Sequence, residues 1–120
     1  MSFVCRFAPS PTGPLHIGGV RTALFNWLLA KKNNGKYYLR IEDTDKERSK
    51  EEFKDQIISS LTWLGIEHDG KEYIQSENIK KHVSVANELV SKGFAYNCYC
   101  TEQELEEQKI FAKKKNLPFI

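Results

Sequence analysis

Three cysteines in 120 residues are too few, and odd in number, for the disulfide framework that holds small secreted domains together. They are expected as free thiols or metal ligands. No stretch approaches the roughly 18 apolar residues of a membrane span, because Arg21 and Asn26 interrupt the longest run. The start of the chain lacks a charged segment followed by an apolar core and a small-residue cleavage site, so a cytoplasmic protein without a membrane partner is expected. Charge of one sign is missing too: Lys+Arg 18 against Asp+Glu 16 gives +2, so any contact with RNA must be local. Neither the dinucleotide fingerprint G-x-G-x-x-G nor the P-loop G-x-x-x-x-G-K-[ST] occurs, and there is no internal repeat. A nucleotide bound here is held by a different loop.

What is present is ordinary globular material, 40% hydrophobic, enough for one core. Ser2 to Ala8 reads as a buried strand, with Cys5 as a small core residue. Ile17 to Ala30 reads as a helix with an apolar stripe of Val20, Leu24, Trp27 and Leu28, widened by Ala23, Phe25 and Leu29 until it should pack between two layers. Lys31 to Gly35 ends it, and Tyr37 to Glu42 is rich in aromatic and branched residues, a second strand. These elements make one βαβ unit, whose strands must run parallel. Ser49-x-x-Glu52 reads as a capping box opening a helix with Phe53, Ile57, Leu61 and Leu64 on one face and Gly65 as its stop. Tyr73 to Gln75 is a third strand. Ser76 can cap a helix whose apolar line is Ile79, Val83, Ala86 and Val90, ended by Gly93. After a short extended segment, Phe94 to Tyr99, a second capping box, Thr101-x-x-Glu104, opens a charged helix, acidic first and basic last. The alternation implies an α/β fold with a Rossmann-like parallel sheet.

The first crossing from strand to helix is Pro9, Ser10, Pro11, Thr12, Gly13, Pro14, Leu15, His16, Ile17, Gly18, Gly19. The first turn of a helix has amides without intrahelical partners and the positive end of the macrodipole, so an anion is stabilised there. Prolines and Gly13 keep the approach irregular, while Gly18 and Gly19 leave backbone bare where a ligand could lie. His16, at the mouth, can donate to a phosphate oxygen in either protonation state; it can equally be a helix-capping histidine. Arg6 and Glu42 fall at the carboxyl ends of parallel strands, where ligands of such sheets bind. They are either the two sides of a charged pocket or a structural ion pair. Asp43, Thr44 and Asp45 read as a turn feeding the Ser49 cap.

Arg6 to Ala30, R-F-A-P-S-P-T-G-P-L-H-I-G-G-V-R-T-A-L-F-N-W-L-L-A, followed by L-R-I-E-D-T-D-K-E-R-S, closely resembles the start of bacterial-type glutamyl-tRNA synthetases, class I aminoacyl-tRNA synthetases. His16-Ile17-Gly18-Gly19 matches their "HIGH" signature. The resemblance implies that residues 1–97 are the N-terminal half of the Rossmann catalytic domain and that residues 98–120 begin an α+β insertion that binds the tRNA acceptor end. It further implies ATP with Mg2+, L-glutamate and tRNA(Glu) as partners, and a monomer. Glutamyl adenylate would form with release of pyrophosphate, and glutamate would then pass to the terminal adenosine. His16, Gly18 and Gly19 would stabilise charge on the phosphates. Glu42, the Ala8 backbone and the Ser10 hydroxyl would take the amino group of glutamate, Arg6 a carboxylate, and Thr44 would approach the acceptor end. Cys98 and Cys100 would be half of a structural zinc site, since zinc takes four ligands. His68 and His82 have no partner at ligand spacing and are expected to be exposed.

The family continues through the rest of the insertion, a second Rossmann half with a "KMSKS" loop and an anticodon-binding region, none of which lies in these residues. The 120 residues alone are therefore expected to be inactive. Two other classes stay open on the residues alone. One is a nucleotidyltransferase of the H-x-G-H kind, with no need for Glu42 opposite Arg6. The other is a non-catalytic module that binds neither ATP nor glutamate.

Overall fold

The computed structural model describes residues 3–118. Ser2, where the expected first strand begins, and Ile120, where the expected insertion segment ends, lie outside them. The elements in chain order are β1 (Val4–Phe7), α1 (Ile17–Lys32), β2 (Lys36–Ile41), α2 (Glu51–Trp63), β3 (Tyr73–Ile74), a 3-10 turn (Ser76–Asn78), α3 (Ile79–Ser91) and α4 (Glu102–Lys114). They fall into two compact units, Met1–His82 and Val83–Ile120.

In the first unit the sheet order is β1-β2-β3, all parallel, with Arg6 opposite Tyr38 and Arg40 opposite Tyr73. The expected βαβ unit and parallel pairing are therefore present. The expected burial of β1 is not: alternate residues face opposite sides, Cys5 and Phe7 buried, Val4 and Arg6 exposed. In β2, Tyr37, Leu39 and Ile41 are buried while Lys36 and Tyr38 are exposed. One face of the sheet thus carries the core, in which Ile57 and Leu61 of α2 and Ala23 and Ala30 of α1 also take part. Each fully buried Leu or Ile contributes about 2 kcal/mol, so one covered face suffices to hold the unit together.

Helix α1 differs from expectation in the same way. Its buried residues are Ala23 and Ala30, with Trp27 half-buried between them, whereas Leu24, Phe25, Leu28 and Leu29 are exposed. Small residues face the strands because they let the helix approach them closely, and the large ones are left on the side away from this layer. The helix ends as read, on Lys31 and Lys32, but Asn34 takes the left-handed conformation at φ 48°. Gly35 serves close approach instead: a Cβ there would lie 2.3 Å from the Phe3 carbonyl oxygen.

Helix α2 begins one residue later than the Ser49-x-x-Glu52 box requires. Its N-cap is Lys50, without a side-chain cap, because the Lys50 N–H donates to the Pro11 carbonyl (3.0 Å) and fixes residue 50 as the extended one. The Ser49 hydroxyl is left buried without a partner. Gly65 stops α2 at φ 71°, and Ile66, rather than the exposed Leu64, turns back into the core. Nor does Ser76 cap a helix through its own side chain. Asp43 accepts from the Ser76 N–H (2.9 Å) and hydroxyl at the start of the 3-10 turn.

No residue of α3 is buried. In the second unit α4 opens on the expected box: Thr101 Oγ1 accepts from the Glu104 N–H (3.2 Å) and the Glu104 carboxylate accepts from the Thr101 N–H (2.7 Å).

Candidate active site

The loop from Pro9 to His16 leaves the carboxyl end of β1 and is fastened from outside at three points. The Glu42 N–H donates to the Pro9 carbonyl (2.9 Å), and the Lys50 N–H donates to that of Pro11, which is fully buried. The Leu15 N–H donates to Gln56 Oε1 of α2 (2.8 Å). A loop rich in proline has few amides of its own, so its conformation rests on such outside partners. Between this loop and α1 lies a cleft of about 160 Å³ lined by Phe7, Ser10, Gly13, Pro14, His16 and Gly19.

His16 is the N-cap of α1, extended at φ −104°, ψ 165°, and its Nδ1 accepts from the Gly18 N–H (3.2 Å). The capping and the phosphate-donating readings are therefore compatible. With Nδ1 accepting, the neutral ring carries its proton on Nε2, the nitrogen left over for a ligand. The Gly18 amide is spent on the ring, and the amides of Ile17 and Gly19 remain without intrahelical partners. A Cβ at Gly18 would lie 2.9 Å from His16 Cε1 and 3.1 Å from Nδ1, so any side chain there would push the ring off its capping position. At Gly19 the nearest atom is the movable end of Leu15. No acidic residue stands in the first turn of α1, so nothing there opposes an anion.

Arg6 and Glu42 come together as the sequence implies, Nη1 to Oε1 4.0 Å, with both side chains partly exposed. A residue that sequence reasoning missed holds Glu42 more closely. Arg40 donates to the same Oε1 from Nε (3.0 Å) and Nη2. Its signal was available: Arg40-x-Glu42 in a strand puts both on one face. Arg6, Tyr38, Arg40, Lys71 and Tyr73 line a hollow of about 440 Å³ on the open face of the sheet. Ala8 is half-buried, and Ser10, exposed, belongs to the His16 cleft.

The other candidates are dispersed. Thr44 is exposed and lines a separate hollow with Lys46, Ser76, Glu77 and Ile79. Asp45 makes the expected turn, accepting from Arg48 N–H (3.2 Å) and Nε (2.6 Å), which holds its carboxyl below the usual range. Asp43 does more than turn the chain. Burial raises its carboxyl, but the bonds from Ser76 outweigh burial and the net displacement is downward. Cys98 and Cys100 are exposed free thiols, and a hydrogen bond with Cys98 raises the Cys100 thiol. No group of three His, Cys, Asp or Glu placed to hold a metal occurs among the described residues. His68 is half-buried, 4.0 Å from Glu72, rather than exposed; His82 is exposed and meets the Tyr73 hydroxyl at 3.2 Å.

Residues 2–118 match the family described as tRNA synthetases class I (E and Q), catalytic domain. A relative from Pelagibacter ubique (strain HTCC1062), named Glutamate--tRNA ligase, is 68% identical over 115 residues, 96% of this chain and 25% of that protein. Another from Ehrlichia canis (strain Jake), Glutamate--tRNA ligase 1, is 59% identical over 114 residues, 95% of this chain and 24% of that protein. Among solved structures, the glutamate-tRNA synthetase from Elizabethkingia anophelis superposes with a TM-score of 0.84 at 36% identity, over 99% of this chain and 26% of that one. A glutamate tRNA ligase from Elizabethkingia meningosepticum, in complex with its amino acid, gives 0.83 at 36%, over 99% and 25%. The chain thus spans about a quarter of the length of the relatives it matches.

Proposed function

Because the chain belongs to the class I tRNA synthetase catalytic-domain family for glutamate and glutamine, we propose that it supplies the phosphate cradle and part of the amino-acid pocket of a glutamate–tRNA ligase. The observation that carries this reading is the His16 ring, capped through Nδ1 so that Nε2 is free, over a helix start with no acid in its first turn. In the reaction the glutamate α-carboxylate attacks the α-phosphorus of ATP. An oxygen–phosphorus bond forms, the bond to the β-phosphate breaks, and pyrophosphate leaves. A ribose hydroxyl of the terminal adenosine of tRNA(Glu) then attacks the adenylate carbonyl and AMP leaves. His16 Nε2–H and the amides of Ile17 and Gly19 donate to phosphate oxygens as charge builds on them, each such donor being worth about 3 kcal/mol when preorganised.

Arg6 takes a carboxylate of glutamate; Glu42, the Ala8 backbone and Ser10 take the ammonium. Bound with ATP, Mg2+ would supply countercharge to the phosphates; no group of three His, Cys, Asp or Glu placed to hold a metal occurs among the described residues. Two thiols, Cys98 and Cys100, do not make a zinc site by themselves. We read residues 1–97 as catalytic and 98–120 as the opening of an acceptor-binding insertion with Thr44 near the acceptor end, in a cytoplasmic monomer.

The test is a chimera in which these residues replace the matching quarter of the Pelagibacter ligase, assayed for glutamate-dependent ATP–pyrophosphate exchange with tRNA present. Exchange is expected with glutamate, reduced at least about a hundredfold by Glu42→Gln or Arg6→Leu, because each leaves a ligand charge unpaired. The isolated 120 residues are expected to show none. A chimera equally active with both charges removed would refute the pocket.

A further inference from the structure

Gln56 lies on α2, outside both the His16 cleft and the Arg6–Glu42 cluster, yet its side chain reaches across 41 residues of sequence to the backbone next to His16. The Leu15 N–H donates to Gln56 Oε1 at 2.8 Å, and Gln56 Nε2 donates to Ser60 Oγ at 3.0 Å. The orientation of the amide follows from chemistry: an N–H can be accepted only by the oxygen, so the nitrogen must face Ser60, one turn along the same helix. Leu15 is the last residue before the N-cap. Its N–H belongs to the Pro14–Leu15 peptide, so the bond fixes the chain one residue before His16, whose ring accepts from the Gly18 N–H.

The same helix holds the far side of the loop, through the Lys50 N–H to the Pro11 carbonyl, and Ile57 lines the cleft floor beside Gln56. Flanked by Pro14, the Leu15 amide has no strand or helix partner to fall back on. We infer that Gln56, oriented by Ser60, is a positioning residue for His16, acting through the Leu15 amide and touching no substrate. This rests on His16 being the phosphate donor proposed above, but the hydrogen bond and its effect on the loop can be tested apart from that reading.

Two measurements decide it. In the chimera, Gln56→Leu is expected to lower the turnover of pyrophosphate exchange about tenfold while KM for glutamate changes by less than about twofold, the signature of a displaced reacting group rather than a lost ligand contact. Gln56→Glu, which keeps an acceptor for the Leu15 amide, is expected to recover most of that loss. In the 120-residue chain itself, hydrogen exchange of the Leu15 amide should quicken about tenfold in Gln56→Leu, stay slow in Gln56→Glu, and quicken about threefold in Ser60→Ala. Equal turnover, or equal Leu15 exchange, in the Leu and Glu variants would overturn the inference. A chimera inactive with Gln56 intact would strike the proposed function instead, and the exchange experiment would then decide the matter of Gln56 alone. Should Gln56→Leu fail to fold, Ser60→Ala stands in for it, and an unchanged Leu15 exchange rate there overturns the inference equally.

Discussion

Helices α1 and α4 begin in opposite ways. At α4 the box is closed: Thr101 and Glu104 satisfy each other's amides, Glu102 adds a second acid, and the positive end of the dipole is answered by the protein's own carboxylates. At α1 the third helical position is Gly19 rather than a glutamate, no acid is present, and a single neutral ring nitrogen caps Gly18. A helix start that needs nothing more is sealed, whereas one left short of negative charge is a receptor for it.

That contrast can be broken from either side. The largest effect is expected from His16→Ala in the chimera, a loss of about a hundredfold or more in exchange rate, while Thr101→Ala leaves the rate within about twofold. Grafting the α4 pattern onto α1 as His16→Thr with Gly19→Glu should cost activity at least as much. It should also raise the melting temperature of the 120-residue chain by about 4 °C, since a glycine leaves the helix and a box forms. An active graft would remove the contrast. Smaller is the cost of Thr101→Ala itself, about 1 kcal/mol of helix stability by thermal melting.

Smallest is a pH effect at α4. Hydrogen bonds from the Thr101 N–H and hydroxyl hold the Glu104 carboxyl below its ordinary 4.5. Its contribution is therefore present above that value and disappears as pH falls through the lower folded-state value. The helicity difference between the parent chain and Glu104→Ala, followed by circular dichroism, should narrow as the pH falls below 4.5.

What could be read from the sequence were features set by neighbours in the chain. The Thr101 box, the glycine stops at 65 and 93, the parallel βαβ unit and the strand-to-helix crossing at His16 all depend on spacing within a few residues or on the handedness of one connection. What failed depended on partners far away. Ser49 lost its cap because Pro11, far earlier in the chain, claimed the Lys50 amide, and Asp43 served Ser76 rather than its own turn. The stripe of α1 reads as packed between two layers, but only the side with Ala23 and Ala30 is covered, and Leu24, Phe25, Leu28 and Leu29 are exposed, because a second layer is not a property of neighbouring residues. At the candidate site, His16, Arg6 and Glu42 stand out in the sequence because their residue types suit the proposed chemistry. Gln56 was not, because glutamine on an amphipathic helix announces nothing until a backbone amide is found opposite it.

The ion cluster at the end of β2 has one further consequence. One carboxylate, Glu42, answers two guanidiniums, so Arg40 sits where the protein's own cation rehearses the place of an incoming ammonium. Under the proposed function, a glutamate arriving there would trade places with it, its ammonium taking the Glu42 carboxylate and its acid group meeting a guanidinium. Every charge would then change partner rather than be left bare, so filling the crevice would depend little on tearing water from isolated ions. Removing Arg40 would take one wall from the hollow and leave Glu42 with Arg6 alone, 4.0 Å away.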